Sequence, residues 1–130
     1  MSQAGQPIRI LLVDDSLLFR KLIGTLLARD PGFAIVAEAS DGIEAIEMVE
    51  KHQPDVVLLD VAMPRMDGLQ ALPEIKKAHP STKVVMLSAF GEGEMLEKAS
   101  ELGAEAYLEK GQVLEKISET IVRVHEADPS

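Results

Sequence analysis

The sequence contains no cysteine and no tryptophan, and its aromatic residues are limited to three phenylalanines and one tyrosine. The absence of cysteine excludes disulfides and metal sites built on thiolates. With so few aromatic side chains, the chain offers no stacking platform for nucleic-acid bases. The core of the fold must therefore be built mainly from aliphatic residues.

Basic residues are also scarce: 13 lysines and arginines stand against 22 aspartates and glutamates, which gives a formal net charge of −9. This balance argues against binding to a phosphate backbone, which requires clustered positive charge. No apolar run approaches the ~18 residues that a membrane-spanning helix needs, and the polar residues 1–7 lack the apolar stretch of a signal peptide. We therefore expect a cytoplasmic protein that binds neither nucleic acid nor a membrane directly.

Five short apolar runs alternate along the chain with segments of helical periodicity, and 130 residues fit a single domain. The runs are predicted strands at residues 8–13, 33–38, 55–60, 83–87 and 105–108. Their nearly continuous aliphatic character is typical of parallel strands buried on both faces. The alternation predicts an α/β fold, a doubly wound (βα)5 parallel sheet of flavodoxin-like strand order 2-1-3-4-5. We assign residues 8–125 to this domain, 1–7 to a flexible leader, and 126–130 to a flexible tail or the start of a linker.

Capping residues indicate where the helices begin. Asp15 or Ser16 would cap the first helix, and Asp67 with Gln70 resembles a capping box for the third. Pro73 either kinks that third helix or marks the start of its regular part.

Apolar spacing in the helices predicts which side chains face the core. In the first helix the apolar positions are Leu17, Leu18, Leu22, Ile23, Leu26 and Leu27, with Arg20, Lys21 and Arg29 on the other side. The fourth helix is predicted at residues 92–102, and its inward positions are Met95, Leu96 and Ala99.

The strand ends bring a group of polar residues to one edge of the predicted sheet. Right-handed crossovers place the carboxyl ends of all the strands there, and the residues at those ends are Asp14, Asp15, Asp60, Ser88 and Lys110. Ligands of such sheets bind at this edge where the strand order reverses, which is between the first and third strands. The three aspartates flank that point.

Three neighbouring carboxylates repel one another, which raises the pKa of at least one unless a divalent cation lies among them. Oxygen ligands with room for water favour Mg²⁺, or Mn²⁺, over zinc or copper. A cation together with a lysine and a hydroxyl suits a phosphoryl group, because both positive charges neutralise its oxygens. Asp60 could then serve as a nucleophile that forms an aspartyl phosphate.

At this point the sequence resembles the receiver domain of two-component response regulators, the CheY-like family. The resemblance extends from Ile8 to about His125. Each motif that carries it is weak alone, but their order is specific: Val13-Asp14-Asp15-Ser16, Leu59-Asp60, Met63-Pro64-Arg65-Met66-Asp67-Gly68, Ser88-Ala89 and Tyr107-Leu108-Glu109-Lys110.

The resemblance implies a phosphoryl acceptor and a metal site. Asp60 matches the phosphoacceptor, which takes its phosphoryl group from a sensor histidine kinase or a phosphotransfer protein. Asp14 and Asp15 match the acidic pair that holds Mg²⁺, and the backbone carbonyl of Ala62 would be a further metal ligand.

The resemblance also implies a switch. Ser88 matches the hydroxyl that bonds the phosphoryl oxygen, Lys110 the lysine that pairs with the phosphoryl group, and Tyr107 the aromatic residue that turns inward on activation. The surface formed by the fourth helix, fifth strand and fifth helix would then control a downstream protein or a C-terminal output domain, or form a homodimer.

The residue after Lys110 departs from the family pattern, which usually has a proline joined by a cis bond. Gly111 occupies that position. A cis bond to a non-proline residue costs about 2.5 to 4 kcal/mol, so we predict a trans bond, with Gly111 using its backbone freedom instead.

Two other classes of function fit the same fold. One is a scaffold that acts without phosphorylation, although no site residue is missing. The other is a flavin-binding protein or a small phosphatase with an aspartyl nucleophile, but the acidic pair is the wrong charge for a flavin phosphate and the short turns supply no substrate enclosure. We expect no separate enzymatic activity. The sequence leaves open whether the chain acts alone or as the first domain of a longer regulator.

Overall fold

The computed structural model describes residues 6–89 and 93–127 of the chain. Its strands are β1 (Ile8–Val13), β2 (Phe33–Ala39), β3 (Val56–Asp60), β4 (Lys83–Ser88) and β5 (Ala106–Glu109). They form one parallel sheet in the order β2-β1-β3-β4-β5. The predicted fold class and strand order are confirmed, and each strand lies within one residue of its predicted bounds.

The helices follow the strands in strict alternation. They are α1 (Leu17–Ala28), α2 (Gly42–His52), α3 (Gly68–Ala78), α4 (Gly93–Glu101) and α5 (Val113–Glu126), with a short 3-10 helix (Lys110–Gln112) before α5. The predicted start of the fourth helix at Glu92, residues 1–5 of the predicted leader and residues 128–130 of the predicted tail lie outside the described residues. Among the helices of the described chain, none has the length and apolarity needed to cross a membrane.

The sheet separates two apolar layers, because the central strands have aliphatic side chains on both faces. Every residue of β3 is buried, as expected for a central parallel strand. One layer packs β1, β3 and β4 against α1 and α5, and the other packs the opposite face against α2, α3 and α4. This arrangement leaves the carboxyl ends of the strands open at one edge.

Side-chain caps start the helices that border this edge. The hydroxyl of Ser16 accepts a hydrogen bond from the Phe19 N–H at 3.1 Å, so Ser16 is the cap of α1. Asp67 and Gln70 form the predicted capping box. Because this box starts α3 at Gly68, the helix runs through Pro73 and its regular part does not begin there.

Several leucines predicted to face the core are exposed instead. Ile23 and Leu27 are buried in α1, but Leu18 is 80% exposed, and Leu17, Leu22 and Leu96 of α4 are also exposed. The sheet covers a narrower stripe of each helix than the run of apolar residues suggested, because at 100° per residue the outer leucines point away from it.

Candidate functional site

The three predicted aspartates meet at the carboxyl ends of β1 and β3. These strands are direct neighbours, with Val13 beside Leu59, so the residues that follow each of them also lie side by side. One carboxylate oxygen from each of Asp14, Asp15 and Asp60 lies within 4.8 Å of the others. Asp14 and Asp60 are buried and Asp15 is exposed. The site therefore consists of two buried acids and one acid that faces solvent.

The two carboxylate oxygens of Asp14 have different partners. Its Oδ1 atom accepts a hydrogen bond from the Ser16 N–H at 2.8 Å. Its Oδ2 atom is buried and receives no hydrogen bond of adequate geometry from the described residues, although the Lys110 ammonium lies 2.6 Å away. A buried carboxylate oxygen needs a positive partner, and a metal cation at this point would act beside the ammonium or take its place.

Asp60 is a weaker acid than an ordinary aspartate, because its pKa is raised. Burial, and after it the charge of Asp14, raise its pKa from 3.8 to about 6, although Lys110 and a hydrogen bond from the backbone N–H of Ala62 partly oppose the shift. Above this pKa Asp60 is a buried anion beside Asp14. Such a pair is poised to receive positive charge.

Lys110 reaches the site from the end of β5. Its Nζ atom lies 2.6 Å from Asp14 Oδ2 and 3.4 Å from Asp60 Oδ2, and 4.4 Å from the ring centroid of Phe19. Burial lowers the pKa of Lys110, but bonding and attraction to Asp14 and Asp60 outweigh it, so the pKa is raised overall. The lysine therefore remains an ammonium between the two acids.

Ser88 and Tyr107 occupy adjoining strands near the same edge. Ser88 ends β4 and is buried, one residue beyond Leu87, which pairs with Asp60. Tyr107 lies beside Met86 in the sheet, is half-buried, and packs against the layer that includes α3 and α4. The sheet register thus brings the predicted hydroxyl to the edge that carries Asp60.

The loop after Asp60 carries Ala62 and is tied down at several points. The Val61 N–H donates to the Leu87 carbonyl at 2.9 Å, and the Gly68 N–H donates to the Val61 carbonyl at 2.8 Å. Ala62 lies between these anchors, is exposed, and is the predicted carbonyl ligand.

A second set of contacts joins this loop to the start of α2. The Gly42 N–H donates to the Met66 carbonyl at 2.8 Å, and the guanidinium of Arg65 bonds the buried carboxylate of Asp41. A hydrogen bond from the Glu44 N–H, together with Arg65, lowers the pKa of Asp41 despite its burial. Arg65 has a left-handed backbone conformation, φ 65°, which few residues other than glycine adopt.

Gly68 is required by close packing against Asp60. A Cβ atom at this position would lie 2.1 Å from the Asp60 carbonyl oxygen and 2.9 Å from its carbonyl carbon.

We expect Gly68→Ala to lower the free energy of unfolding by about 2 to 3 kcal/mol, because the backbone must move to admit the methyl group. Urea unfolding measures this, with Gly111→Ala as the control, since a Cβ there would meet nothing within 4 Å. Equal stability of the Gly68→Ala and wild-type proteins would contradict the expectation.

One part of the prediction for Gly111, the residue after Lys110, is wrong. The described residues contain no cis peptide bond, as predicted. However, Gly111 has no positive φ and lies in the 3-10 helix that follows β5. The turn conformation is accessible to any residue, so the backbone freedom of glycine is not what positions Lys110.

The positions of two α1 residues near the site were not predicted from the sequence. Arg20 was predicted to face solvent, yet its side chain is only 14% exposed and donates to the Asp14 carbonyl and to Glu38. Phe19 had no predicted role. Helical side chains lean towards the helix N-terminus, so their position one turn after Asp14 and Asp15 was the signal that could have placed both at the site.

A family model described as the response regulator receiver domain matches residues 10–122. The chain belongs to this family. Its function class is therefore that of a phosphorylation-activated receiver in a two-component system, and the scaffold and flavin alternatives are not favoured. The receiver fold also accounts for the strand order of the sheet and for the acidic edge.

Individual relatives show how far the similarity extends. Chemotaxis protein CheY of Bacillus subtilis is 40% identical over 117 residues, which cover 87% of this chain and 97% of that protein. A protein-glutamate methylesterase/protein-glutamine glutaminase of Pyrococcus abyssi is 48% identical over 112 residues, 85% of this chain. The chain spans only 30% of that relative's length, so the match does not extend to the rest of that protein.

Among solved structures, a chain of the CheX-CheY-BeF3-Mg²⁺ complex from Borrelia burgdorferi superposes with a TM-score of 0.88 at 30% identity. The similarity covers 95% of this receiver and 92% of that chain.

Proposed function

We propose that this receiver accepts a phosphoryl group on Asp60 from a sensor histidine kinase or a phosphotransfer protein, with Mg²⁺ bound beside it. The observation that carries the proposal is the meeting of Asp14, Asp15 and Asp60 within 4.8 Å, with the Lys110 ammonium between two of them. This combination suits a phosphoryl group beside a metal ion, because the cation and the ammonium neutralise charge on its oxygens.

The donor set fits a hard divalent cation. Asp14 Oδ2 is a buried oxygen paired with the Lys110 ammonium, Asp15 is open to solvent, and the remaining ligands would be Asp60 and the backbone carbonyl of Ala62. All are oxygen atoms, which suits Mg²⁺, and Mn²⁺ as a substitute. The Mg²⁺ complex of the Borrelia burgdorferi relative supports the same assignment. When bound, the ion would neutralise negative charge on the phosphoryl oxygens.

Asp60 provides the nucleophile. With a pKa of about 6, its carboxylate is mostly ionised at neutral pH. One of its oxygens attacks phosphorus, and the bond from phosphorus to the leaving group breaks, so the donor departs with that electron pair. Lys110 and the hydroxyl of Ser88 would contact the new phosphoryl oxygens, where the ammonium neutralises charge and the hydroxyl donates a hydrogen bond.

The phosphorylated site would alter the surface formed by α4, β5 and α5. In our proposal Ser88 moves towards the phosphoryl group and Tyr107 turns inward, which changes the face offered to a downstream protein, a C-terminal output domain or a second copy. Beyond its own phosphorylation and dephosphorylation we assign the domain no reaction, and we expect it to act in the cytoplasm. The methylesterase relative shows that a matching segment also occurs within a much longer protein.

Intact-mass spectrometry tests the proposal. Incubation with acetyl phosphate and Mg²⁺ should add one phosphoryl group, and peptide mapping after borohydride reduction should place it on Asp60. EDTA should prevent the addition. A mass that stays unchanged with metal and donor present, while a kinase-dependent interaction persists, would favour the scaffold alternative over this proposal.

A further inference from the structure

We propose that Phe19 is a positioning residue for Lys110, a role that rests on the proposed function of the site. The ammonium lies 4.4 Å from the ring centroid of Phe19, within the range of an attractive cation–π contact. Asp14 and Asp60 contact the same ammonium. The lysine is therefore held by two acids and by one aromatic face.

Lys110 gains from such support because its own side chain is flexible. A lysine carries its charge on a flexible four-carbon stem. A Cβ at Gly111, the next residue, would meet nothing within 4 Å, so this position adds no side-chain contact beside Lys110. The two acids attract the ammonium but do not fix its stem, and the ring of Phe19 supplies an additional contact.

Phe19 is itself held firmly. Its N–H is bonded by Ser16, the cap of α1, and its side chain packs against the apolar layer between the sheet and α5. A cavity of about 10 Å³ adjoins the ring, which is scarcely room for one water molecule. The ring is therefore a partly buried surface, placed by the Asp14-Asp15-Ser16 turn that also supplies the acids.

This arrangement gives Phe19 an effect on the site that simple core packing would not have. If the ring only filled space, leucine would replace it with a loss of stability and no specific change at Lys110. If the ring positions Lys110, its loss changes the reaction only while the ammonium is present. The two roles therefore differ in whether the effect of Phe19 depends on Lys110.

A spectroscopic measurement detects the contact without any reaction. Protons on the Lys110 Cε atom should be shifted upfield by the ring current of Phe19 in metal-free protein. We expect the shift to be lost in Phe19→Leu and kept in Phe19→Tyr, which retains the aromatic face. An unshifted Lys110 signal in the wild-type protein would overturn the proposal, even if phosphorylation of Asp60 were demonstrated.

A double-mutant cycle then measures the effect on phosphorylation by acetyl phosphate. Phe19→Leu should slow the reaction about 3- to 10-fold, whereas Phe19→Tyr should keep most of the wild-type rate. In a Lys110→Met background, Phe19→Leu should change the rate by less than about 2-fold. Phe33→Leu is the control for loss of a core aromatic and should leave the rate unchanged. Equal slowing by Phe19→Leu in both backgrounds would show that the ring acts by packing alone. If the wild-type protein takes up no phosphoryl group, the proposed function fails, and the ring-current shift still decides whether Phe19 holds Lys110.

Discussion

Asp60→Asn should abolish phosphorylation and, without metal, make the protein more stable than the wild type. The first effect follows because an amide is not a nucleophile at phosphorus. The second follows because the folded protein holds Asp60 as a buried anion beside Asp14, which is why its pKa is raised from 3.8 to about 6. Removing one of two buried like charges should raise the free energy of unfolding by roughly 1 to 3 kcal/mol at pH 7.5.

The gain in stability should depend on pH in a defined direction. A carboxyl group with a raised folded-state pKa binds more protons in the folded protein than in the unfolded chain. The stabilisation of the folded protein by the protonated Asp60 side chain is therefore fully present below pH 3.8, and it is lost as the pH rises through about 6. The advantage of Asp60→Asn over the wild type should therefore grow between these values and stay constant above them. Urea unfolding of both proteins across this range, in EDTA, measures the difference.

Asp55→Asn is the matched control for this prediction, because Asp55 lies at the opposite end of the β3 segment. Its Oδ2 atom accepts a hydrogen bond from the Arg9 N–H at 2.9 Å, a contact that the change to asparagine can only keep or lose. We expect this change to leave stability the same or lower it. A loss of stability in Asp60→Asn at pH 7.5 would mean that Lys110 more than compensates for the burial and for Asp14.

The sheet and its acidic edge were predictable because each depends on local patterns. Aliphatic runs such as the one in β3 are long enough to be recognised as buried parallel strands, and the strand order then determines which ends meet. Since β1 and β3 are neighbours, Asp14 and Asp60 could be placed together from their positions alone. The capping box of Asp67 and Gln70 likewise depends only on residues three apart.

Contacts between distant side chains could not be predicted in the same way. Whether Phe19 turns towards Lys110, or Arg65 towards Asp41, depends on how helices and loops pack across the sheet, and neither pair has a fixed spacing in the sequence. The exposure of Leu18 has the same cause, because helical periodicity identifies an apolar stripe but not the angle at which the sheet covers it. At Gly111, knowledge of the family pattern suggested a special conformation that the 3-10 turn does not require.

Asp14→Asn should lower the affinity for Mg²⁺ by at least roughly 100-fold. Loss of residues that merely orient metal ligands costs 10- to 100-fold, and here the change would replace a proposed ligand whose Oδ2 atom is buried beside the Lys110 ammonium. Calorimetric titration with Mg²⁺ measures the loss. Asp67→Asn is the matched control: asparagine caps a helix as well as aspartate does, so the start of α3 and the Mg²⁺ affinity should be preserved.

The same variant should change Asp60 in metal-free protein, which separates loss of a ligand from loss of the fold. The charge of Asp14 helps to raise the pKa of Asp60 to about 6, and Asp14 shares the Lys110 ammonium with it. With Asp14 neutral, the repulsion disappears and the ammonium is left to Asp60, so the pKa of Asp60 should fall. Carbon-13 NMR of the Asp60 carboxyl group across pH 4 to 8 measures this fall. An unchanged Asp60 titration in a folded Asp14→Asn protein would show that burial alone governs its acidity, and that the two acids do not act as one site.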